Sequence, residues 1–251
     1  MLNKIVENKK IELEESKKKF PLDSFKDKIE KSRRDFKKAI SKNKLNLIAE
    51  IKRKSPSKKI ENSEFNIKKI VKIYNKHSDA ISVLADKKFF NGSLRDLKAV
   101  SKLTSLPILR KDFIIDEYQI YESRYYNADA ILLIASILTN NQINDFISLA
   151  KSYDLDCMVE AHTKEELDSV LSSDADIIGI NNRNLQTLEV DTNTTLQLMD
   201  LIPKDKIIVS ESGISSKEYV DKIAGKVNAI LVGTLFMNSE KLEEEIINLI
   251  R

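Results

Sequence analysis

Glycine is scarce in this sequence. There are five in 251 residues, where an average soluble protein has roughly 7 %, and that scarcity excludes glycine-rich low-complexity and collagen-like architectures. Gly92, Gly179, Gly213, Gly225 and Gly233 are therefore expected at positions that use a permissive backbone. Cysteine is scarcer still: Cys157 stands alone, which excludes an internal disulfide. The opening MLNKIVENKK lacks the apolar stretch of a secretory signal, so a reducing cytoplasm is the expected compartment. The most apolar stretch, residues 130–138, falls far short of the roughly 20 residues of a spanning helix, and no segment is expected to cross a membrane. An excess of one charge is also missing. Forty-two Lys and Arg against 39 Asp and Glu leave +3, too little to imply a nucleic acid or membrane partner. No His, Cys and carboxylate cluster has metal-ligand spacing, so no metal is expected.

What is present is ordinary in amount and patterned in order. With 41 % hydrophobic and 32 % charged residues, the chain suits one α/β barrel or two small domains. Residues 1–45 are rich in Lys and Glu, with apolar positions at Ile5, Ile11, Leu13, Phe20, Leu22, Phe25 and Ile29. The spacing predicts two helices separated near Pro21, an extension packed on the rest of the fold. Beyond that extension, in the barrel segment assigned to 46–251 and its first flanking residue, eight short apolar runs start at 45, 79, 106, 129, 154, 176, 205 and 228. Near-continuous Val/Ile/Leu runs are the mark of strands buried on both faces. Segments with helical apolar spacing come after each run, such as 65–76, 140–153 and 192–202, and parallel strands need such crossovers. Eight strand–helix units predict a (β/α)8 TIM barrel carrying an N-terminal helical extension. A doubly wound open sheet is the alternative, and its dinucleotide fingerprint is absent.

Barrel enzymes gather their chemistry where strands end. The first run ends in Glu50 and Lys52, which share a face by parity, before a loop holding Ser55 and Ser57. The second leads to Phe89 and Phe90, fit to wall an aromatic group, and Gly92 closes that loop. Lys111 ends the third run, with Arg110 and Asp112 beside it and Phe113 next. The fourth ends in Ile134 and Ala135, without evident chemistry. Glu160 ends the fifth; Asn181, Asn182 and Arg183 the sixth; Ser210, Glu211, Ser212 and Gly213 the seventh; Gly233 and Thr234 the eighth. A lone Lys or Glu in so charged a chain is usually a solvated surface residue. Five at the same predicted rim point instead to acid–base chemistry. Glycines after strands 7 and 8 suit a phosphate, since they let backbone N–H groups approach and a helix start favours an anion. Gly179 and Gly225 are read as scaffold. His77 and His162 are read as polar surface or loop residues, and Cys157 as a small buried hydrophobe.

The strings IAEIKRKSPSK (48–58), ISVLADKKFFNGSLRDL (81–97), PILRKDFIIDEYQIYESR (107–124), IIGINNRNLQTLEVD (177–191), VSESGI (209–214) and AILVGTLFM (229–237) resemble the indole-3-glycerol phosphate synthase family. The similarity runs in order along nearly the whole chain. IVENKKIELEESKK (5–18) is similar to that family's N-terminal extension. The resemblance implies a cytoplasmic barrel enzyme of tryptophan biosynthesis, working without metal or organic cofactor beside other enzymes of that pathway. It would convert 1-(2-carboxyphenylamino)-1-deoxyribulose 5-phosphate to indole-3-glycerol phosphate, releasing carbon dioxide and water. By the same resemblance, Lys111 and Lys52 are general acids and Glu160 the general base, with Glu50 and Glu211 shaping their electrostatics. Asn181 and Arg183 are polar site residues. Ser55, Ser212, Gly213, Gly233 and Thr234 contact the phosphate, and Phe90 and Phe113 line the aromatic pocket. Ring closure needs an acid at the ketone oxygen, for which Lys111 is chosen; dehydration needs an acid and a base, for which Lys52 and Glu160 are chosen. On chemistry alone the two lysines are interchangeable. Neighbouring positive charges are expected to lower a lysine's pKa, with Glu50 opposing. Two residues depart from the family pattern: Lys59 stands where glycine is common, and Thr234 follows Gly233 where Ser or Glu is usual.

Other readings remain at this point. A phosphoribosylanthranilate isomerase is similar in architecture but has a cysteine where Glu50 and Lys52 lie. A Schiff-base aldolase would use Lys111 covalently. A non-catalytic phosphate- or RNA-binding protein would use the basic loops and would show steep salt dependence.

Overall fold

The structure, a computed structural model, describes residues 1–56 and 65–251. It opens with helix α1 (Leu2–Lys19), two single 3-10 turns (Leu22–Ser24 and Lys26–Lys28) and α2 (Phe36–Ala39). The repeat then begins: β1 (Asn46–Ile51), α3 (Ile67–His77), β2 (Ala80–Leu84), α4 (Leu94–Ser101), β3 (Ile108–Lys111), α5 (Glu117–Tyr125), β4 (Ala130–Ile134) and α6 (Asn140–Lys151). It continues through β5 (Asp156–Ala161), α7 (Lys164–Leu171), β6 (Ile177–Asn181), α8 (Asn193–Leu198), β7 (Ile207–Glu211), α9 (Lys217–Ile223), β8 (Ala229–Val232), α10 (Thr234–Met237) and α11 (Leu242–Ile250). The strands close in sequence order into a parallel barrel. β8 pairs back to β1, with Ile48 opposite Leu231, so the open-sheet alternative is excluded and the chain is a TIM barrel.

Side-chain parity explains both the core and the site. On β1, Leu47, Ala49 and Ile51 join the outer core beneath the helices, while Ile48 packs inside with Leu109, Met158, Val209 and Leu231. Each fully buried Ile or Leu contributes roughly 1.5–3 kcal/mol. Two residues after these inner positions, the same face of each strand carries Glu50, Lys111, Glu160 and Glu211. The inner wall therefore changes from apolar to charged at the C-terminal end of the strands. Helix starts are fixed by side-chain caps: Asn66, Ser93, Asp116, Thr163 and Ser216 each accept a hydrogen bond from a first-turn N–H. Thr139 and Gln142 form a reciprocal capping box on α6. No helix among the described residues is long and apolar enough to cross a membrane.

The extension differs from the expected pair of helices. Only α1 is a long helix; beyond Pro21 the chain makes single turns. Phe25 stacks on Phe20 at 4.4 Å between centroids and meets Tyr118 edge-on at 5.8 Å. Residues five apart do not share a helical face, so this stack requires the helix to end between them. α1 lies across the C-terminal end of the barrel, with Leu2 and Ile5 packed in the cluster that holds Phe113. α2 lies at the opposite end, where Phe36 and Ile40 are fully buried with Ile177 and Ile207. Around that floor, residues 34–44 bind carboxylates beside the strand starts: Arg34 to Asp129 at 2.7 Å, Lys37 to Asp176 at 2.7 Å and Lys42 to Asp79 at 2.8 Å.

Candidate active site

The C-terminal end of the barrel opens into a cavity of about 660 Å³. Its charged side is a row of alternating sign. Lys52 Nζ lies 2.6 Å from Glu50 Oε1, and Lys111 Nζ lies 3.5 Å from Glu50 Oε2 and 2.6 Å from Glu211 Oε2. Next along the wall, Asn181 Nδ2 donates to Glu160 Oε1 at 2.9 Å, and the Arg183 amide donates to Asn181 Oδ1 at 2.9 Å. Arg183 also donates to the Leu188 carbonyl at 2.8 Å. His162 Nδ1 lies 2.7 Å from the Asn181 carbonyl oxygen, so this loop histidine steadies the strand end.

These groups set one another's protonation. Burial pushes the Glu160 carboxyl up and nearby Glu211 pushes it further; Lys111 opposes them, and the result is about 8. Burial would likewise raise Glu50, but the ammonium groups of Lys52 and Lys111 outweigh it and hold that carboxyl below its ordinary value. For Lys111, burial favours the neutral amine, while Glu211, Glu50 and Glu160 favour the ammonium and win. The sequence-based expectation of a lowered lysine pKa is therefore corrected for Lys111: its near neighbours are carboxylates. Two ammonium groups facing Glu50 and Glu211 balance to zero, and Glu160 is the carboxyl left over. Burial first and the Glu211 carboxylate second favour its protonated form, against the pull of Lys111.

Two glycines make room for this row. A Cβ on Gly179 would lie 2.3 Å from Glu211 Oε1, and one on Gly233 would lie 2.0 Å from Glu50 Oε1. Gly179, which reads as scaffold in the sequence, thus belongs to the site. Glu211 itself is fully buried and lies behind the cavity wall, reaching the cavity through Lys111. The other expected residues all line the cavity: Glu50, Lys52, Ser55, Phe90, Lys111, Phe113, Glu160, Asn181, Arg183, Ser212, Gly213, Gly233 and Thr234. Ser57 and Lys59 lie outside the described residues.

Phe90 and Phe113 are 6.3 Å apart between centroids. They form an apolar wall with Leu132, Ile134, Leu185 and, from α1, Ile5. Sequence reasoning misses these aliphatic residues. The signal is present at β4, whose inner face stays apolar to its end, but such an end reads as an absence of chemistry. At the opposite end sit Ser212, Gly213, Gly233 and Thr234. The helices there, α9 and α10, have only seven and four residues. Helices this short supply little dipole, so the donors at this end are backbone amides and the Ser212 and Thr234 hydroxyls. Cys157 lies in β5 against the outer core, and burial pushes its thiol up, as for an inert cysteine.

The model of the family described as indole-3-glycerol phosphate synthase matches residues 2–249. The indole-3-glycerol phosphate synthase of Caldanaerobacter subterraneus subsp. tengcongensis is 47 % identical over 243 residues, covering 96 % of this chain and 94 % of that protein. The tryptophan biosynthesis protein TrpCF of Buchnera aphidicola subsp. Acyrthosiphon pisum is 43 % identical over 249 residues, 99 % of this chain and 55 % of that protein. Among solved structures, the 3-hexulose-6-phosphate synthase of Salmonella typhimurium superposes with a TM-score of 0.64 at 14 % identity, over 82 % of this chain and 96 % of that one. That last likeness is one of fold alone.

Proposed function

The chain belongs to the indole-3-glycerol phosphate synthase family, and on that premise we propose a division of labour among the residues of its cavity. The reaction is that of a carboxy-lyase of tryptophan biosynthesis: 1-(2-carboxyphenylamino)-1-deoxyribulose 5-phosphate closes a ring, loses carbon dioxide and loses water, giving indole-3-glycerol phosphate. The observation that carries the assignment is the row Lys52, Glu50, Lys111, Glu211 beside a Glu160 raised to about 8. It supplies cationic donors and one carboxyl poised near neutrality.

Ring closure joins the aromatic carbon bearing the carboxylate to the ketone carbon, and electrons move onto the ketone oxygen. Lys111, kept as an ammonium by its carboxylate neighbours, donates to that oxygen and delivers the proton. Decarboxylation then returns the bonding electrons to the ring and restores aromaticity. Phe90, Phe113, Leu132 and Ile134 provide a poorly solvating wall for the ring carrying the departing carboxylate. Loss of the new hydroxyl as water requires a proton from Lys52, while Glu160 in its ionised form accepts the proton released in forming the indole. Asn181 holds Glu160, and Arg183 adds positive charge to the same rim. Glu50 and Glu211 act by holding the lysines in place and by keeping Lys111 an ammonium. The phosphate is assigned to Ser55, Ser212, Gly213, Gly233 and Thr234.

We read residues 1–45 as an extension serving a single catalytic barrel of 46–251, working in the cytoplasm on a phosphorylated small molecule. TrpCF relatives are longer tryptophan biosynthesis proteins, which favours other enzymes of that pathway as neighbours. The deciding experiment follows indole fluorescence during turnover of the carboxyphenylamino-deoxyribulose phosphate. Folded protein that forms no product would sink the assignment, and trapping by borohydride with a keto substrate would favour an aldolase instead.

A further inference from the structure

Resting on the reading that the substrate phosphate binds beside Ser212 and Gly213, we propose that Asn182 is the positioning residue of that turn. Asn182 directly follows β6, is fully buried and stands outside the cavity wall. Its partners fix which way the carboxamide faces. The Thr195 amide can only donate, so it meets Oδ1, at 3.0 Å, and the Thr195 hydroxyl joins it at 2.9 Å. The Ser212 carbonyl can only accept, so it meets Nδ2, at 3.0 Å. Asn182 thereby ties the end of β6 to α8 on one side and to the turn after β7 on the other.

That turn needs holding. Ser212 has φ +64° and Gly213 φ +73°, two successive left-handed residues, of which the first carries a side chain that disfavours the conformation. The Ser212 carbonyl and the Gly213 N–H belong to one planar peptide and point in opposite directions. A donor that fixes the carbonyl toward Asn182 therefore aims the Gly213 N–H away from Asn182, and Gly213 itself lines the cavity. Rotation of that peptide would turn both groups together. The other flank is closed by contact: a Cβ on Gly213 would lie 2.6 Å from Val190 Cγ1 and 2.9 Å from Thr192 Cγ2. Tyr219 completes the cluster by donating to the Thr192 carbonyl at 3.1 Å while its hydroxyl lies 3.3 Å from Asn182 Nδ2. One buried neutral carboxamide thus sets the direction of the amide offered to the phosphate, without touching substrate.

Asn182→Asp tests this in the full-length enzyme. It keeps the shape and the acceptor facing Thr195 but places a carboxylate oxygen against the Ser212 carbonyl. The expected result is a rise of about tenfold or more in KM and in the inhibition constant of inorganic phosphate, with kcat within about twofold, the pattern of lost uniform binding. Tyr219→Phe removes a neighbouring hydrogen bond without touching Ser212, and should lower Tm and leave KM in place. Gly213→Ala reports on the phosphate reading itself. If Gly213→Ala weakens phosphate while Asn182→Asp does not, the positioning role is overturned and the phosphate site stands. If neither variant weakens it, the phosphate reading falls and the proposal with it. A readout that needs no variant is 15N NMR of the unmodified protein titrated with inorganic phosphate. The Gly213 amide and the Asn182 side-chain amide should move along one binding curve, and an Asn182 signal that stays still overturns the coupling.

Discussion

The Lys9 ammonium, carried by the N-terminal helix, lies 2.8 Å from Asp112, the residue that comes after Lys111. It also lies 2.9 Å from Asp86, in the loop after β2. Asp112 in turn accepts from Arg110, and Arg110 is 3.0 Å from Glu122 on α5. A helix outside the barrel repeat is thus linked by buried charge to the strand that presents Lys111.

Lys9→Met should destabilise the fold by about 3–5 kcal/mol, because two buried carboxylates lose a shared cation. Chemical denaturation of both proteins measures the difference. Burial works against the Lys9 ammonium, but Asp112 and Asp86 raise its pKa above the ordinary value; burial raises Asp112, but Lys9 and Arg110 outweigh it and lower it. The lowered carboxyl stabilises above its unfolded pKa of about 3.9 and loses this as pH falls; the raised lysine stabilises below its unfolded pKa of about 10.4 and loses this as pH rises. The stability gap between the two proteins should be flat from about pH 5 to 9 and shrink outside that window.

Lys111→Met should lower kcat by about 10³-fold, removing the proton donor and the cation between Glu50 and Glu211. Inhibition by inorganic phosphate should remain close to that of the unmodified enzyme. A variant with near-normal turnover would show that the acid of ring closure is another residue.

Glu160 titrates at about 8 in the fold, against an ordinary value of 4.5. As a base it must be ionised, so kcat/KM should rise with pH to a plateau above about pH 8, and Glu160→Gln should abolish that limb. The stability sign is opposite to that of a salt-bridged carboxylate. The folded protein holds this proton more tightly than the unfolded chain, so the contribution is complete below the unfolded pKa and declines as pH rises through 8. Glu160→Gln should therefore raise Tm at pH 9 relative to the unmodified protein, by about 2–4 °C per kcal/mol of relieved repulsion. Equal melting curves at that pH would contradict the buried-charge account.

Gly179→Ala should lower kcat by about 10²-fold, the scale of a 1 Å misplacement in an active site. The new methyl group would occupy the space of Glu211 Oε1, displacing the carboxylate that holds Lys111. Circular dichroism should confirm that the barrel remains folded, and unchanged kcat would show that Glu211 has slack.

Much of this is legible from residue order. Apolar runs separated by helical segments predict the barrel, because a strand covered on both faces has no polar alternation to hide it. Parity then carries Glu50, Lys111, Glu160 and Glu211 to one face and one end. What parity does not convey is depth: Glu211 and Glu160 occupy equivalent strand ends, yet one lies behind the wall and the other on it. Nor does it reveal pairing across the barrel. Lys111 and Glu211 stand one hundred residues apart, and their contact reverses the expected direction of the Lys111 pKa. Ile5 and Lys9 are out of reach for the same reason, since their partners lie in loops that local spacing does not connect to α1. Leu132 and Ile134 are in plain view, but an aromatic ring requires an apolar wall as much as it requires acids.

The floor of the barrel imposes an order on its making. Lys37 meets Asp156 through its amide and Asp176 through its ammonium, across 119 and 139 residues, and Arg34 reaches the Asn127 carbonyl across 93. The Arg34 contact waits for residue 127, just before β4, and the two Lys37 contacts wait for the start of β5 and the residue before β6. A segment made before any strand of the barrel therefore waits for partners made about a hundred residues later. Such distant pairings slow folding, because loop closure must precede the contacts that stabilise it. The same plug that seals the finished barrel leaves its growing precursor open at one end.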